Sequence, residues 1–300
     1  MSSKGDSPLF LLAIAILLWS TQAVVTKELV VGIGALNATF YMFLFAAVGS
    51  GAMVLLKGKS GELKRYSPYD LKVLLFIAGL WAIGSILYYY TFGTLTSAEA
   101  ISVRYLWPVF VVGLSIAVLR ERVSLAQWLS LGLGFGAVYI LVGGGSLIPL
   151  SYTNVLPALL VVASAGLWAL YLLYQKKHGY EVFSSTFILS VMALAIVTVF
   201  LFLESSPVLP AFPLLVMSAY FGIMTVAVGN AIYTSAFTRA NTGFVSVLSY
   251  VTPFIALVWS SSILGEVIYP HYFVGLALVV AAALLGTPRS NKITSKYIKY

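Results

Sequence analysis

The chain contains no cysteine, 2 histidines and few charges, which make up 9% of its 300 residues. A soluble domain carries about a quarter charged residues, so this chain has too little polar surface to face water on every side. Hydrocarbon must be the solvent for much of it. The missing cysteine excludes disulfides and thiolate metal ligands, while leaving the compartment open. Acidic residues are also scarce, at 9 against 17 basic ones, for a net charge of +8. Such an excess can point to nucleic acid. In a chain this apolar it points instead to basic loops flanking membrane spans, and no nucleic-acid partner is expected.

What is present is hydrophobic, 61% of the residues, and it falls into segments long enough to cross a bilayer. Ten can be marked, roughly 8–28, 37–56, 70–91, 97–119, 123–143, 154–175, 183–203, 212–235, 243–264 and 270–287. Each is apolar on all sides and lacks strand alternation, which predicts helices rather than a barrel. The first could pass for a signal peptide with "TQA" as its cleavage site. Its "LLWSTQAVVTK" is echoed by "AGLWALYLLYQK" at 165–176, aligning Trp19 with Trp168, so it is read as a retained helix.

All but Lys27 and Arg104 of the 17 basic residues fall on one side of these spans. The asymmetry places both termini in the cytoplasm and agrees with an even number of crossings.

Displacing the chain by 145 residues aligns Gly84 with Gly229, Tyr88 with Tyr233, Tyr105 with Tyr250, Pro108 with Pro253 and Glu121 with Glu266. Two repeats of five spans follow, 1–146 and 147–288, with a basic cytoplasmic tail at 289–300. Five is odd, so the second copy enters the membrane from the opposite face. Inverted repeats of this kind underlie alternating access, with the substrate site at their interface near the midplane. The expected fold is therefore an all-α integral membrane protein of ten helices in two inverted repeats.

Two five-helix repeats, a proline inside the fourth and ninth helices, and the glutamates of "LRERV" and "LGEVI" resemble the drug/metabolite transporter superfamily. Within it, "RYLWPVF" at 104–110 is most similar to the bacterial aromatic amino-acid exporter branch. The resemblance implies a ten-helix basket around a central cavity, in a bacterial inner membrane, that exports amino acids from the cytoplasm. No cofactor is expected. The expected partners are a small-molecule substrate and membrane lipid, with a monomer favoured.

Several residues stand out against this apolar background. Pro108 has no N–H for the carbonyl of Arg104, and Pro253 none for that of Ser249. Such breaks are tolerated where they face protein or a watery path, which predicts paired hinges or gates. Trp19, Trp107 and Trp168 fall near mid-depth, away from the interfacial belts. Tyr88, Tyr105, Tyr233 and Tyr250 fall above and below them. Trp19 and Gln22, three apart, would share a helix face and pair an aromatic wall with an amide. Asn230 completes the expected substrate-binding set. Arg104 lies about 8 Å along the fourth span at ~1.5 Å per residue. There it is either an anchor snorkelling to the interface or a cation at the cavity edge that meets a substrate carboxylate.

Other patterns argue against competing functions. All nine acidic residues map to helix ends, loops or tails, so no mid-membrane proton relay or sodium site is visible and a facilitator is favoured. His178 and His271 lie at span edges, and no metal site is expected. "GKS" at 58–60 fails as a P-loop, because Met53 stands where glycine is required and no strand precedes it. "NAT" at 37–39 fits a glycosylation acceptor only as a bare pattern. Gly132 with Gly136, and Ala277 with Ala281, would permit close helix contact inside the bundle. An enzyme would need a catalytic constellation and a channel a charge ring or filter, and neither appears. A carrier of amino acids is the reading, with an exporter of organic cations as alternative and a channel more remote.

Overall fold

The computed structural model describes residues 8–119, 125–142, 152–204, 206–239 and 251–286, and among these there is no strand. The helices are α1 (Pro8–Ser20), α2 (Gln22–Ile33), α3 (Ala35–Leu56), α4 (Pro68–Tyr90), α5 (Ser97–Arg104), α6 (Trp107–Leu119) and α7 (Leu125–Val142). They continue with α8 (Tyr152–His178), α9 (Val182–Glu204), α10 (Phe212–Tyr220), α11 (Gly229–Arg239), α12 (Val251–Leu264) and α13 (Pro270–Gly286). A π-helical stretch, Phe221–Val228, joins α10 to α11. Six helical runs are long and apolar enough to cross a membrane: Leu12–Ile33, Ala35–Leu56, Pro68–Gly93, Val155–His178, Val182–Glu204 and Phe212–Thr234. Val251–Leu264 and Pro270–Ala282 are shorter apolar helices.

Local sequence sets the ends of these helices. Ser67 caps α4 through the Asp70 N–H while Asp70 accepts from the Ser67 N–H at 2.9 Å, with Pro68 at the first helical position. Thr96 and Glu99 repeat the device at α5. Past α12 the chain turns at Gly265 (φ 67°), a backbone conformation that a side chain would strain.

The expected spans are interrupted in informative places. The first is broken at Thr21, whose hydroxyl meets that of Tyr220 at 3.1 Å. Trp19 stands one residue before the end of α1 and Gln22 opens α2, both within the helical run Leu12–Ile33. The fourth is broken at Tyr105–Leu106. Pro108 stands in the first turn of α6, where its missing N–H leaves no gap. It marks a helix start and not a bend within one continuous helix. Pro253 is buried in the first turn described for α12, and Ser249 lies outside the described residues.

Packing follows a paired scheme. Helix α4 packs on α8, and α11 on α1; α4 packs on α9, and the π segment on α3; α6 packs on α8, and α12 on α1. Helices α3 and α9, and α7 and α13, pack on each other. Helix α3 and the π segment approach each other closely at Gly222. A Cβ added to Gly222 would lie 2.6 Å from the Met42 carbonyl oxygen and 2.8 Å from the Ala46 nitrogen.

Two small-residue pairs do not serve the interior contact expected of them. Gly132, Gly136, Ala277 and Ala281 are all exposed, and a Cβ at either glycine would meet nothing within 4 Å. Buried Ala137, Leu276, Val279 and Ala282 form the inward faces of α7 and α13 instead. The "NAT" asparagine is likewise committed to the fold. Asn37 is buried, and its Oδ1 accepts from the Val208 N–H at 2.9 Å.

Candidate functional site

Arg104 ends α5 beside the helix break, and its side chain turns inward. Its guanidinium carbon lies 5.0 Å from the Tyr88 ring centroid and 5.8 Å from that of Trp168. Nη1 donates to the Ser164 hydroxyl, which in turn donates to the Gly84 carbonyl at 2.5 Å. Three elements thus hold one cation: α5 carries it, α4 supplies Tyr88 and Gly84, and α8 supplies Ser164 and Trp168. The crossing is tight at Gly84, where a Cβ would lie 3.3 Å from Leu167 Cβ. The guanidinium thus faces α4 and α8 inside the bundle.

Among the described residues Arg104 has no carboxylate partner; the ion pair present there joins Arg65 to Glu62. A guanidinium carries five N–H donors, and here one is met by a neutral hydroxyl. The cation–π contacts stabilise it by about 0.5–2 kcal/mol each, small beside the cost of a charge at membrane depth. Two other buried groups in these elements are unmatched. Among the described residues the Tyr88 and Ser102 hydroxyls have no hydrogen-bond partner.

An aromatic wall continues from Trp168. Its ring stacks on Tyr171 at 4.7 Å and 16°, and Trp81 sits 5.2 Å from Tyr171 and 6.4 Å from Trp168. Phe43 closes on Trp81 edge-to-face at 4.9 Å. Sequence reasoning missed Trp81, Tyr171 and Ser164. The signal was spacing: Trp81, Gly84 and Tyr88 stand at i, i+3 and i+7 on one face of α4, and Ser164, Trp168 and Tyr171 at i, i+4 and i+7 on one face of α8.

The remaining expected residues fall into place unevenly. Trp19 packs against Tyr233 with ring centroids 4.4 Å apart and planes tilted by 38°, and a Cβ at Gly229 would lie 3.0 Å from Trp19 Nε1. This is the α1–α11 counterpart of the α8–α4 contact at Gly84. Tyr105 is buried within electrostatic reach of Arg104, Tyr88 and Tyr233, so it lies between the two clusters. Trp107 is buried at the start of α6. Gln22 and Asn230 are half-buried and form no hydrogen bond with the described residues. Tyr250 lies outside the described residues.

Both ends of the bundle are tied by polar contacts. At one end the Glu266 carboxylate accepts from the Ser97 N–H at 2.8 Å and the Ala98 N–H at 3.1 Å, at the start of α5. Lys27 donates to the carbonyls of Phe92 and Leu95 at 2.6 and 3.0 Å. At the other end Tyr66 meets the Ser184 hydroxyl at 2.8 Å, and Tyr180 donates to Asp70 at 3.1 Å. Burial, followed by the Asp70 carboxylate, pushes the Tyr180 phenol above its ordinary range.

A family model for EamA-like transporters matches residues 6–143 and matches again at residues 155–287. The chain belongs to the EamA-like transporter family. It is thus a multi-pass membrane transporter of the drug/metabolite type. The two matched stretches lie on either side of the connection between α7 and α8. A solved structure described only as "Crystal structure of protein" shares the fold with a TM-score of 0.70 at 21% identity, covering 94% of this chain and 96% of that one. No curated protein matches.

Proposed function

We propose that this EamA-like transporter exports amino acids, aromatic and other neutral ones, by alternating access. The observation that carries the reading is the inward-turned Arg104, held by rings and a hydroxyl with no carboxylate among the described residues. A substrate carboxylate would supply the missing charge and a bidentate acceptor. The Trp168–Tyr171–Trp81 wall supplies an apolar surface for the side chain, and the open hydroxyls of Tyr88 and Ser102 offer acceptors for an ammonium group.

The architecture proposed is ten crossings in two inverted repeats, 1–146 and 147–288, with the 289–300 tail. Three reciprocal helix pairings support it: α4–α8 with α11–α1, α4–α9 with the π segment on α3, and α6–α8 with α12–α1. The proposed substrate-lining set is Trp19, Gln22, Tyr88, Arg104, Tyr105, Trp107, Trp168, Asn230, Tyr233 and Tyr250, with Pro108 and Pro253 at the gates. Both termini are placed in the cytoplasm of a bacterial cell, with the protein in the inner membrane as a monomer that moves substrate down its own gradient. In this naturally cysteine-free chain, Ser60→Cys should be labelled from the cytoplasm and Ser206→Cys from outside. The opposite pattern would invert the orientation.

The aromatic wall also favours a second reading, in which organic cations are the cargo and ring faces hold them. Purified protein in liposomes decides between the two. Counterflow of amino acids supports the first; counterflow of carboxylate-free cations alone supports the second.

A further inference from the structure

A groove of about 320 Å³ runs between α4 and α8, away from the aromatic site, at the end of the bundle rich in lysine. Its α4 wall is Tyr69, Lys72, Val73 and Phe76, at helical spacing along one face, and its α8 wall is Tyr174, Lys177 and His178. The chemistry is graded along the groove. Lys72 and Lys177 are exposed at its mouth, and neither has a carboxylate partner among the described residues. The nearby Asp70 is already engaged by Ser67 and Tyr180. Deeper in, Phe76 meets Tyr174 edge-to-face at 5.1 Å while remaining half exposed. Lys177 Nζ lies 5.6 Å over the Tyr174 ring, which holds the cation at the rim.

We propose that this groove binds an anionic phospholipid of the adjacent leaflet, with its phosphate between Lys72 and Lys177 and an acyl chain along Val73 and Phe76. The occupant follows from where the walls lie. Both belong to membrane-crossing runs, Pro68–Gly93 and Val155–His178, so the groove opens at the bilayer surface and not toward bulk water. Along α4, Lys72 is about 6 Å and Phe76 about 12 Å from the helix start at ~1.5 Å per residue. These are the depths of a headgroup and of the first acyl carbons. Unpaired lysines at such a boundary select negative headgroups, and each is worth about a fivefold change in binding. A soluble phosphate would use the lysines and leave the half-exposed Phe76 without a role.

The test is native mass spectrometry of the full chain in neutral detergent, titrated in parallel with phosphatidylglycerol and phosphatidylcholine. The expected result is preferential retention of phosphatidylglycerol, and loss of that preference in Lys72→Gln/Lys177→Gln, a fall of about twenty-five-fold from two such contacts. Phe76→Ala should weaken retention of both lipids while keeping the preference. Equal retention of the two lipids by the wild-type chain would overturn the proposal. So would an unchanged preference in the double variant, or displacement of the lipid by millimolar inorganic phosphate. Thermal melting of each variant in phosphatidylcholine shows that the chain is folded, so that lost binding is read as a lost site.

Discussion

Glu266, in the connection between α12 and α13, caps the first turn of α5 by accepting the Ser97 N–H at 2.8 Å. A carboxylate at a helix N-terminus satisfies N–H groups that have no partner within the helix, and it meets the positive end of the dipole. Here the cap joins segments far apart in sequence and covers the end of the helix that carries Arg104. Glu266→Ala should cost about 1 kcal/mol, as lost caps do. It should also loosen this end of the bundle. A Ser102→Cys reporter, buried on α5, should then be labelled faster from the side where Glu266 lies. Equal labelling rates with and without Glu266 would make the contact a helix cap and nothing more.

The crossing of α3 with the π segment leaves no room for a methyl group. Gly222→Ala would press against the Met42 carbonyl and the Phe45 Cβ, and the contacting atoms belong mostly to backbone. Overpacking of this kind costs about 1–3 kcal/mol, so the variant should melt at lower temperature. Gly132→Ala, where a Cβ meets nothing within 4 Å, is the control and should melt as wild type.

Trp168 touches both the cation and the aromatic wall. Trp168→Ala removes a stacking surface worth about 0.5–1.5 kcal/mol beyond area burial. Aromatic amino acids should lose more apparent affinity than alanine or threonine in the same liposome assay. A uniform loss across all of them would assign Trp168 to packing.

Pro108→Ala supplies an N–H in the first turn of α6 and removes the ring that opposes continuing α5 into α6 across Tyr105–Leu106. The expected outcome is slower transport at an unchanged melting temperature, because the added N–H does not weaken the helix. Unchanged transport would make the break at Tyr105–Leu106 a structural feature with no part in gating.

The all-helical class and six long apolar helices among the described residues were legible because bilayer thickness imposes a length on apolar runs, and Arg104 was conspicuous as a charge within such a run. Which helix would face Arg104 was not legible. Ser164 reaches it across sixty residues, and pairing between distant spans leaves no local pattern. Trp81 and Tyr171 were hidden for a related reason: a tryptophan in an apolar span has the same sequence signature whether it faces lipid, core or substrate. Gln22 and Asn230 stood out as amides in apolar runs, and they are half-buried with no hydrogen bond to the described residues. The break at Thr21 was invisible because its residues have ordinary helical character, and its φ and ψ of −78° and −13° remain in the helical region.

The central claim is that Arg104 meets the carboxylate of the transported molecule. Counterflow in liposomes by Arg104→Gln, which keeps hydrogen-bonding capacity and removes the charge, tests it most directly. The account predicts that aromatic, small and polar neutral amino acids all lose transport to a similar degree, because each presents the same carboxylate. Any carboxylate-free organic cation that the wild-type protein carries should be spared. Normal amino-acid counterflow by Arg104→Gln would contradict the account and leave the guanidinium as a strut between α5, α4 and α8.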